Sequence, residues 1–196
     1  MNEQPVRNVA VIGLGQMGGG IARNLDRAGL LGAVWDPNPE TMATYSERGN
    51  VAVAPPADLP ADCRRLLFVV PGVAEITDCL TGPDAMLERM ESGGIILDLT
   101  TSDPDASGEL ATTAAARDVD YLDCGMTGGA AGADAGYVQL FVWRFVPHGL
   151  EGGHLAHAGH GGSVGRRTDE TASRDELALG RAHDPASIVE HTRPWV

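Results

Sequence analysis

The sequence predicts an α/β protein built on a doubly wound, mostly parallel sheet. Two observations predict it. Strand-like and helix-like segments alternate through the first 140 residues, and a strand, a glycine turn and a helix stand together at their start. That unit is Val9 to Leu25, VAVIGLGQMGGGIARNL. Val9 to Ile12 is an apolar run with the look of a buried parallel strand. Gly13, Gly15 and Gly18 follow in the spacing G-x-G-x-x-G, and Met17, Ile21, Ala22, Leu25 and Ala28 then recur at helical period until Gly29. In such a unit the first glycine frees the turn, the second lets backbone approach a pyrophosphate, and the third lets helix pack on strand. A diphosphate then lies on the free N–H groups at the positive end of the helix. Asp36 closes the second strand, Ala33-Val34-Trp35, at the separation of about 20 residues expected of a ribose ligand. With this context the glycine turn reads as the fingerprint of a Rossmann-like dinucleotide domain. A bare βαβ turn, or a site for another nucleotide such as a methyl donor, is the alternative.

The remaining elements follow in order. Pro37 to Glu40 turns the chain into a helix running to Arg48, with Asn38 as cap, Pro39 in the first helical position and Gly49 as stop. Val51 to Ala54 is a short strand, and Leu66 to Val70 is a continuous apolar strand of the doubly buried kind. Glu75 to Leu80 and Pro83 to Met90 read as short helices. Ile95 to Leu99 is the next strand, Asp103-Pro104 opens a helix to Ala116, and Val119 to Leu122 is a last short strand. The glycine-rich run Gly125 to Gly136 follows it.

Composition sets the bounds. A domain of this size buries about 70% of its unfolded surface, so a core forms without staples. Cys63, Cys79 and Cys124 are scattered without paired or metal-like spacing, which points to reduced thiols and a cytoplasmic setting. A formal charge of −13 argues against nucleic acid and anionic membrane surfaces as partners. No apolar run has the length of a membrane span, and the start MNEQPVRN does not read as a signal peptide. All 14 basic residues are arginine; the sequence holds no lysine.

Composition shifts near residue 140. Residues 1–140 carry 8 arginines against 20 acidic residues, residues 141–196 carry 6 against 7, and all six histidines fall between His148 and His191. Phe141 to Gly165 shows neither helical period nor strand alternation, and only Asp169 to Leu179 reads as a helix. The expected division is therefore a dinucleotide-binding domain over 1–140 and a Gly/His-rich, irregular tail over 141–196. His154, His157 and His160 share a spacing of three, but the glycines among them oppose the helix that would gather them, so no metal site is expected.

Four stretches carry a family resemblance. GLGQMGGGIARNL resembles the opening of the β-hydroxyacid dehydrogenases, which include 3-hydroxyisobutyrate dehydrogenase, tartronate semialdehyde reductase and 6-phosphogluconate dehydrogenase. Val69-Val70-Pro71 is similar to that family's apolar-Pro loop. Asp98-Leu99-Thr100-Thr101-Ser102-Asp103-Pro104 resembles its D-x-S-T-x-x-P stretch. Asp123 to Ala133, DCGMTGGAAGA, resembles D-x-P-V-S-G-G-x-x-G-A, with Gly125 and Thr127 in place of Pro and Ser. The resemblance implies that Gly13, Leu14, Gly15, Gln16, Met17 and Gly18 cradle the pyrophosphate of NAD(P) and that Asp36 holds the adenosine ribose. It also implies that Val70, Pro71 and Thr101 flank the nicotinamide, and that Thr127, Gly128 and Gly129 bind a substrate carboxylate. A hydroxyl beside consecutive glycine N–H groups suits that last role on chemical grounds. NAD is expected over NADP, because Asp36 would repel a 2′-phosphate and Pro37, Asn38 and Pro39 offer no cation.

The implied activity is hydride transfer between nicotinamide and the carbinol carbon of a small 3-hydroxy acid, with a family lysine moving the hydroxyl proton. This sequence has no such lysine and no counterpart of the family's helical second domain, so an inactive chain without the family's homodimer is expected. A non-catalytic NAD(P)-binding module is the second reading. The departure begins where Trp143-Arg144 replaces the family's Gly-Gly. Tryptophan is always TGG, so a CGG codon for Arg144, read one base later, restores both glycines. The tail is expected to be frameshift-derived or, alternatively, that of a natural short paralogue.

Overall fold

In the computed structural model the described residues are 7–146 and 149–158, apart from Arg48, Asn50 and Asp84. They form one sheet with helices on both faces. The elements are β1 (Val9–Ile12), α1 (Gln16–Arg27), β2 (Leu31–Trp35), α2 (Pro39–Ser46), β3 (Ala52–Val53), β4 (Arg65–Phe68) and α3 (Val73–Thr81). After these come α4 (Met86–Arg89), β5 (Gly94–Asp98), α5 (Pro104–Ala115), β6 (Val119–Thr127), α6 (Gly129–Ala135), β7 (Val138–Val146) and β8 (Gly149–Ala158). The strand order is β3-β2-β1-β4-β5-β6-β7-β8. All pairs from β3 across to β6 are parallel, and β6–β7 and β7–β8 are antiparallel.

The alternation of side chains along each strand builds two cores. Val9, Val11, Val34, Leu67, Ile95 and Leu97 face α1 and α6, together with Ile21, Leu25 and Ala133. Ala10, Ile12, Leu66, Phe68 and Ile96 face the other way, onto Ile76 and Leu80 of α3 and Leu110 and Ala114 of α5. Strands buried on both faces explain why β1 and β4 read as unbroken apolar runs. The expected caps form: the Asn38 side chain accepts from Glu40 N–H, and Asp103 accepts from Asp105 and Ala106 N–H.

The largest departures from the expected elements are three. The strand expected over Leu66–Val70 stops at Phe68, because Val69 leaves it to close over Gly13. The strand expected to end at Leu122 continues to Thr127, and the glycine-rich run goes on as α6 over Gly129–Ala135. Where an irregular tail is expected from residue 141, the structure has strand over Val138–Val146 and Gly149–Ala158. The expected boundary at 140 cuts an alternation that begins earlier: Val138 and Leu140 are buried and Val142 packs on the same core, while Phe141 and Trp143 stack on the opposite face at 6.3 Å. The edge of β6 supplies the pairing partner, in a register running from Leu122↔Arg144 to Thr127↔Gln139. The helix expected over Asp169–Leu179 lies outside the described residues.

Candidate dinucleotide site

The chain leaves β1 for β2 on one side and then crosses to β4 on the other, so the order of strands reverses between β1 and β4. In open α/β sheets that switch point opens a crevice beyond the carboxyl ends of the strands, where ligands bind. Ile12, Trp35, Phe68 and Asp98 are aligned by register at that edge.

Three glycines shape the turn above β1, each by a different constraint. Gly13 has φ +90°, and a Cβ there would lie 2.3 Å from Val69 O. Gly18 sits against the same turn, where a Cβ would meet Gly13 O at 1.9 Å. Gly15 is the N-cap of α1, and a Cβ on it meets nothing within 4 Å. Thus Gly13 and Gly18 serve the close packing of the chain on itself, and Gly15 keeps a surface open. The N–H groups of the first turn of α1 have no partner inside the helix and stand at its positive end. This is a bare backbone surface suited to a diphosphate.

Asp36 at the end of β2 is fixed from two sides. Its Oδ2 accepts from Leu14 N–H at 2.7 Å and its Oδ1 from Asn38 N–H at 2.8 Å. Each carboxylate oxygen keeps a lone pair for a ribose hydroxyl. The Leu14 N–H, one of the groups expected to cradle the pyrophosphate, is thereby engaged with Asp36. Leu14 takes part in the site through its place in the wall and by aiming Asp36.

On the other side of β1, Val69, Val70 and Pro71 follow β4, with Val70 half-buried and Pro71 exposed. After β5, Asp98 is fully buried and accepts from Thr100 N–H (2.8 Å), Ser102 Oγ (2.9 Å) and Tyr121 OH (2.8 Å). Those bonds pin the turn that presents Thr101 at the edge, where it is exposed. Strand β6 overshoots the edge: Asp98 is level with Asp123, and the four residues on to Thr127 extend about 13 Å further. Thr127, Gly128 and Gly129 are exposed there, and Gly128 (φ +114°) and Gly129 (φ +59°) turn the chain into α6. The residues expected to hold ribose, pyrophosphate, nicotinamide and substrate therefore stand on β2, β1, β4–β5 and β6, in the linear order of those groups.

A cleft of about 540 Å³ opens between α1 and α6, lined by Leu14, Gly15, Gln16, Arg23, Ala130 and Asp134. Val70, Pro71, Thr101 and Thr127 lie outside its lining. Arg23, Ala130 and Asp134 were not legible as site residues, since nothing in sequence brings residue 23 to residue 134. In space Arg23 forms an ion pair with Asp134.

Asp98 and Asp123 face each other across β5 and β6, and burial followed by the charge of Asp98 raises the Asp123 carboxyl above its ordinary value. An acid raised in the folded state costs stability above its folded pKa, and the cost vanishes below the unfolded pKa. Asp123→Asn is accordingly expected to raise the melting temperature at pH 7 and to leave it unchanged near pH 3. Thermal melts of both proteins across that range check it; equal melting at pH 7 would remove the Asp98–Asp123 conflict from this account. Burial likewise pushes Tyr121 up, with Asp98 adding to it, so its hydroxyl remains the donor to Asp98.

Residues 8–142 match the family described as the NAD binding domain of 6-phosphogluconate dehydrogenase. The chain belongs to this family. Among curated relatives, human mitochondrial 3-hydroxyisobutyrate dehydrogenase is 28% identical over 134 residues, 68% of this chain and 40% of the relative. L-threonate dehydrogenase of Cupriavidus necator is 33% identical over 136 residues, 69% of this chain and 46% of the relative. The chain thus spans less than half the length of the curated relatives it matches. Of solved structures, 3-hydroxyisobutyrate dehydrogenase from Salmonella typhimurium superposes with a TM-score of 0.63 at 28% identity, covering 68% of this chain and 47% of that one. Psf3, solved with NADP+ and 2-OPP, gives 0.63 at 31% identity, with coverages of 71% and 49%. What this chain shares with these proteins is the NAD-binding domain over residues 8–142.

Proposed function

We propose that this chain binds NAD(H) in preference to NADP(H) along the β1–β4 crevice and is the cofactor-binding part of an oxidoreductase for a small 3-hydroxy acid. The observation that carries the reading is the alignment of Asp36, the Gly13–Gly18 turn, Val70–Pro71, Thr101 and Thr127 along one edge in the order of the groups they would meet. The open side of Gly15 at the start of α1 fits a diphosphate, and the two free lone pairs of Asp36 fit a ribose diol. When bound, the cofactor supplies hydride transfer to and from its nicotinamide. The chain's own part is to hold it: the first turn of α1 binds the diphosphate, Val70 and Pro71 shield the nicotinamide end from water, and Thr101 orients it. Thr127 with the Gly128–Gly129 backbone offers a hydroxyl and amide donors to a substrate carboxylate.

NAD preference rests on Asp36. A 2′-phosphate would lie beside a carboxylate already aimed by Leu14 and Asn38 N–H, and like charges about 4 Å apart near a surface repel by about 4 kcal/mol before screening. Calorimetry with both reduced cofactors is expected to give an NADH dissociation constant at least tenfold below that of NADPH, about 1.4 kcal/mol. A tighter constant for NADPH overturns the assignment.

A non-catalytic NAD(P)-binding module is the second reading, and the lysine-free sequence favours it for this polypeptide. A reducing, cytoplasmic setting is supported by the thiols. Cys63, Cys79 and Cys124 are buried, and burial with the charge of Asp62 pushes Cys63 up to about 12, which leaves it protonated and unreactive.

A further inference from the structure

Helix α6 contains only glycine, alanine and one aspartate, GAAGADA, so it has no large apolar side chain with which to dock. Besides the ion pair of Arg23 with Asp134, two features of α1 hold it in place. Gly20 leaves room for it: a Cβ there would lie 2.7 Å from the Ala133 carbonyl carbon and 2.8 Å from the Ala133 Cβ. One turn later, Asn24 Nδ2 donates to Ala133 O at 2.7 Å, to Asp134 O at 3.2 Å and to Gly20 O at 2.9 Å. The other end of the carboxamide, Oδ1, accepts from Arg27 Nη1 at 2.7 Å, which fixes the orientation of the amide. Gly136, with φ +76°, completes the contact, since a Cβ there would come within 2.7 Å of Asn24 Oδ1. The last carbonyls of α6, which a helix cannot satisfy internally, are thus closed by a side chain from the dinucleotide-binding helix.

Ala130 and Asp134 of α6 form one wall of the cleft whose other wall is Leu14, Gly15, Gln16 and Arg23. Asn24 is not part of either wall. We propose that Asn24 is a positioning residue: by clamping α6 onto α1 it sets the width of the dinucleotide cleft without touching the cofactor. The proposal rests on the reading of that cleft as an NAD site. It also gives the second and third glycines of the run Gly18-Gly19-Gly20 separate reasons. Gly19 lies close to Leu14 O, at 3.0 Å for a Cβ, and Gly20 admits α6.

The test compares the full chain with Asn24→Asp, Asn24→Ala and Gly20→Ala, by hydrogen exchange and by NADH calorimetry. Asn24→Asp keeps the volume and the Arg27 contact but turns the donor into an acceptor facing three carbonyls. Gly20→Ala pushes α6 away while leaving Asn24 in place. The amides to watch are Gly132, bonded to Gly128 O, and Tyr137, bonded to Gly132 O. In all three variants these amides are expected to exchange faster while those of β1 and β4 stay protected, and the NADH dissociation constant is expected to rise about tenfold, a cost of lost preorganisation. Loosened α6 with unchanged NADH affinity overturns the proposal, and so does unchanged α6 exchange in Asn24→Asp. Failure of the unsubstituted chain to bind NADH overturns the dinucleotide reading itself, and the proposal with it.

Discussion

Gly15→Ala is expected to fold and melt like the unsubstituted chain yet bind NADH about 100-fold more weakly, whereas Gly18→Ala is expected to be severely destabilised. The three glycines of the fingerprint look alike in sequence and differ in what surrounds them. Gly15 has φ −58° and ψ −165°, so no left-handed backbone is required of it, and a methyl there meets no protein atom. That methyl instead occupies the surface a diphosphate needs. Two charge-assisted hydrogen bonds to the first turn of α1, at about 1.5 kcal/mol each, account for about 3 kcal/mol, or roughly 100-fold. Gly18 is the opposite case, with a Cβ 1.9 Å from Gly13 O and 3.0 Å from Gly13 C. Both atoms are backbone, so no rotamer relieves the clash, and α1 must lift off the turn. A cost of about 4 kcal/mol stands at the severe end for single substitutions, and in a domain of this size it lowers melting by about 8–16 °C. Circular dichroism melts beside calorimetry separate the two effects. Normal NADH affinity in Gly15→Ala would place the diphosphate elsewhere, and normal melting of Gly18→Ala would contradict the packing described for β1 and α1.

The part of this fold legible in sequence is the part decided locally or by simple burial. Apolar runs such as VAVI and GIILD belong to strands covered on both faces, and caps such as Asn38 and Asp103 act within a few residues of themselves. Asp36 was legible for the same reason, because it closes a strand at a fixed separation from the glycine turn. Helix α6 was not. Its residues show no apolar stripe, and what makes it a helix is the bare surface of Gly20 more than 100 residues away. The hairpin of β7 and β8 was hidden differently: VQLFVWRFV alternates only once Val138 and Leu140 are counted with Val142, and β8, rich in glycine and histidine, takes strand form by pairing with β7. Asp98 stood inside a motif as one acid among several. Its task of pinning the Thr100–Ser102 turn from a fully buried position depends on Tyr121 OH arriving from the neighbouring strand.

Purified as it stands, this chain is expected to form NADH from 3-hydroxyisobutyrate or another small 3-hydroxy acid at least 100-fold more slowly than a family enzyme supplied with its lysine. Removing hydride from a carbinol carbon requires the hydroxyl proton to leave with it, and a positioned acid/base group contributes about 10²–10⁴-fold to such a step. No lysine exists in the sequence. Along the described edge, Thr101 and Thr127 are hydroxyls that hydrogen-bond but are poor bases at neutral pH. Thr101 and Thr127 are exposed, so water competes for any charge developing at the reacting oxygen. The family match stops at residue 142, one residue before Trp143-Arg144. The decisive comparison is therefore between this chain and a version whose frame is shifted by one base at residue 143, each assayed by NADH absorbance with several 3-hydroxy acids. Cofactor affinity is expected in both, because the glycine turn and Asp36 lie within the first 36 residues. Turnover is expected only in the shifted version, and only if that frame restores the glycines and a lysine-bearing helix. Equal turnover in the two would assign the proton to a group of this chain, a histidine between His148 and His191 being the chemically suited type, and would end the case for a non-catalytic module.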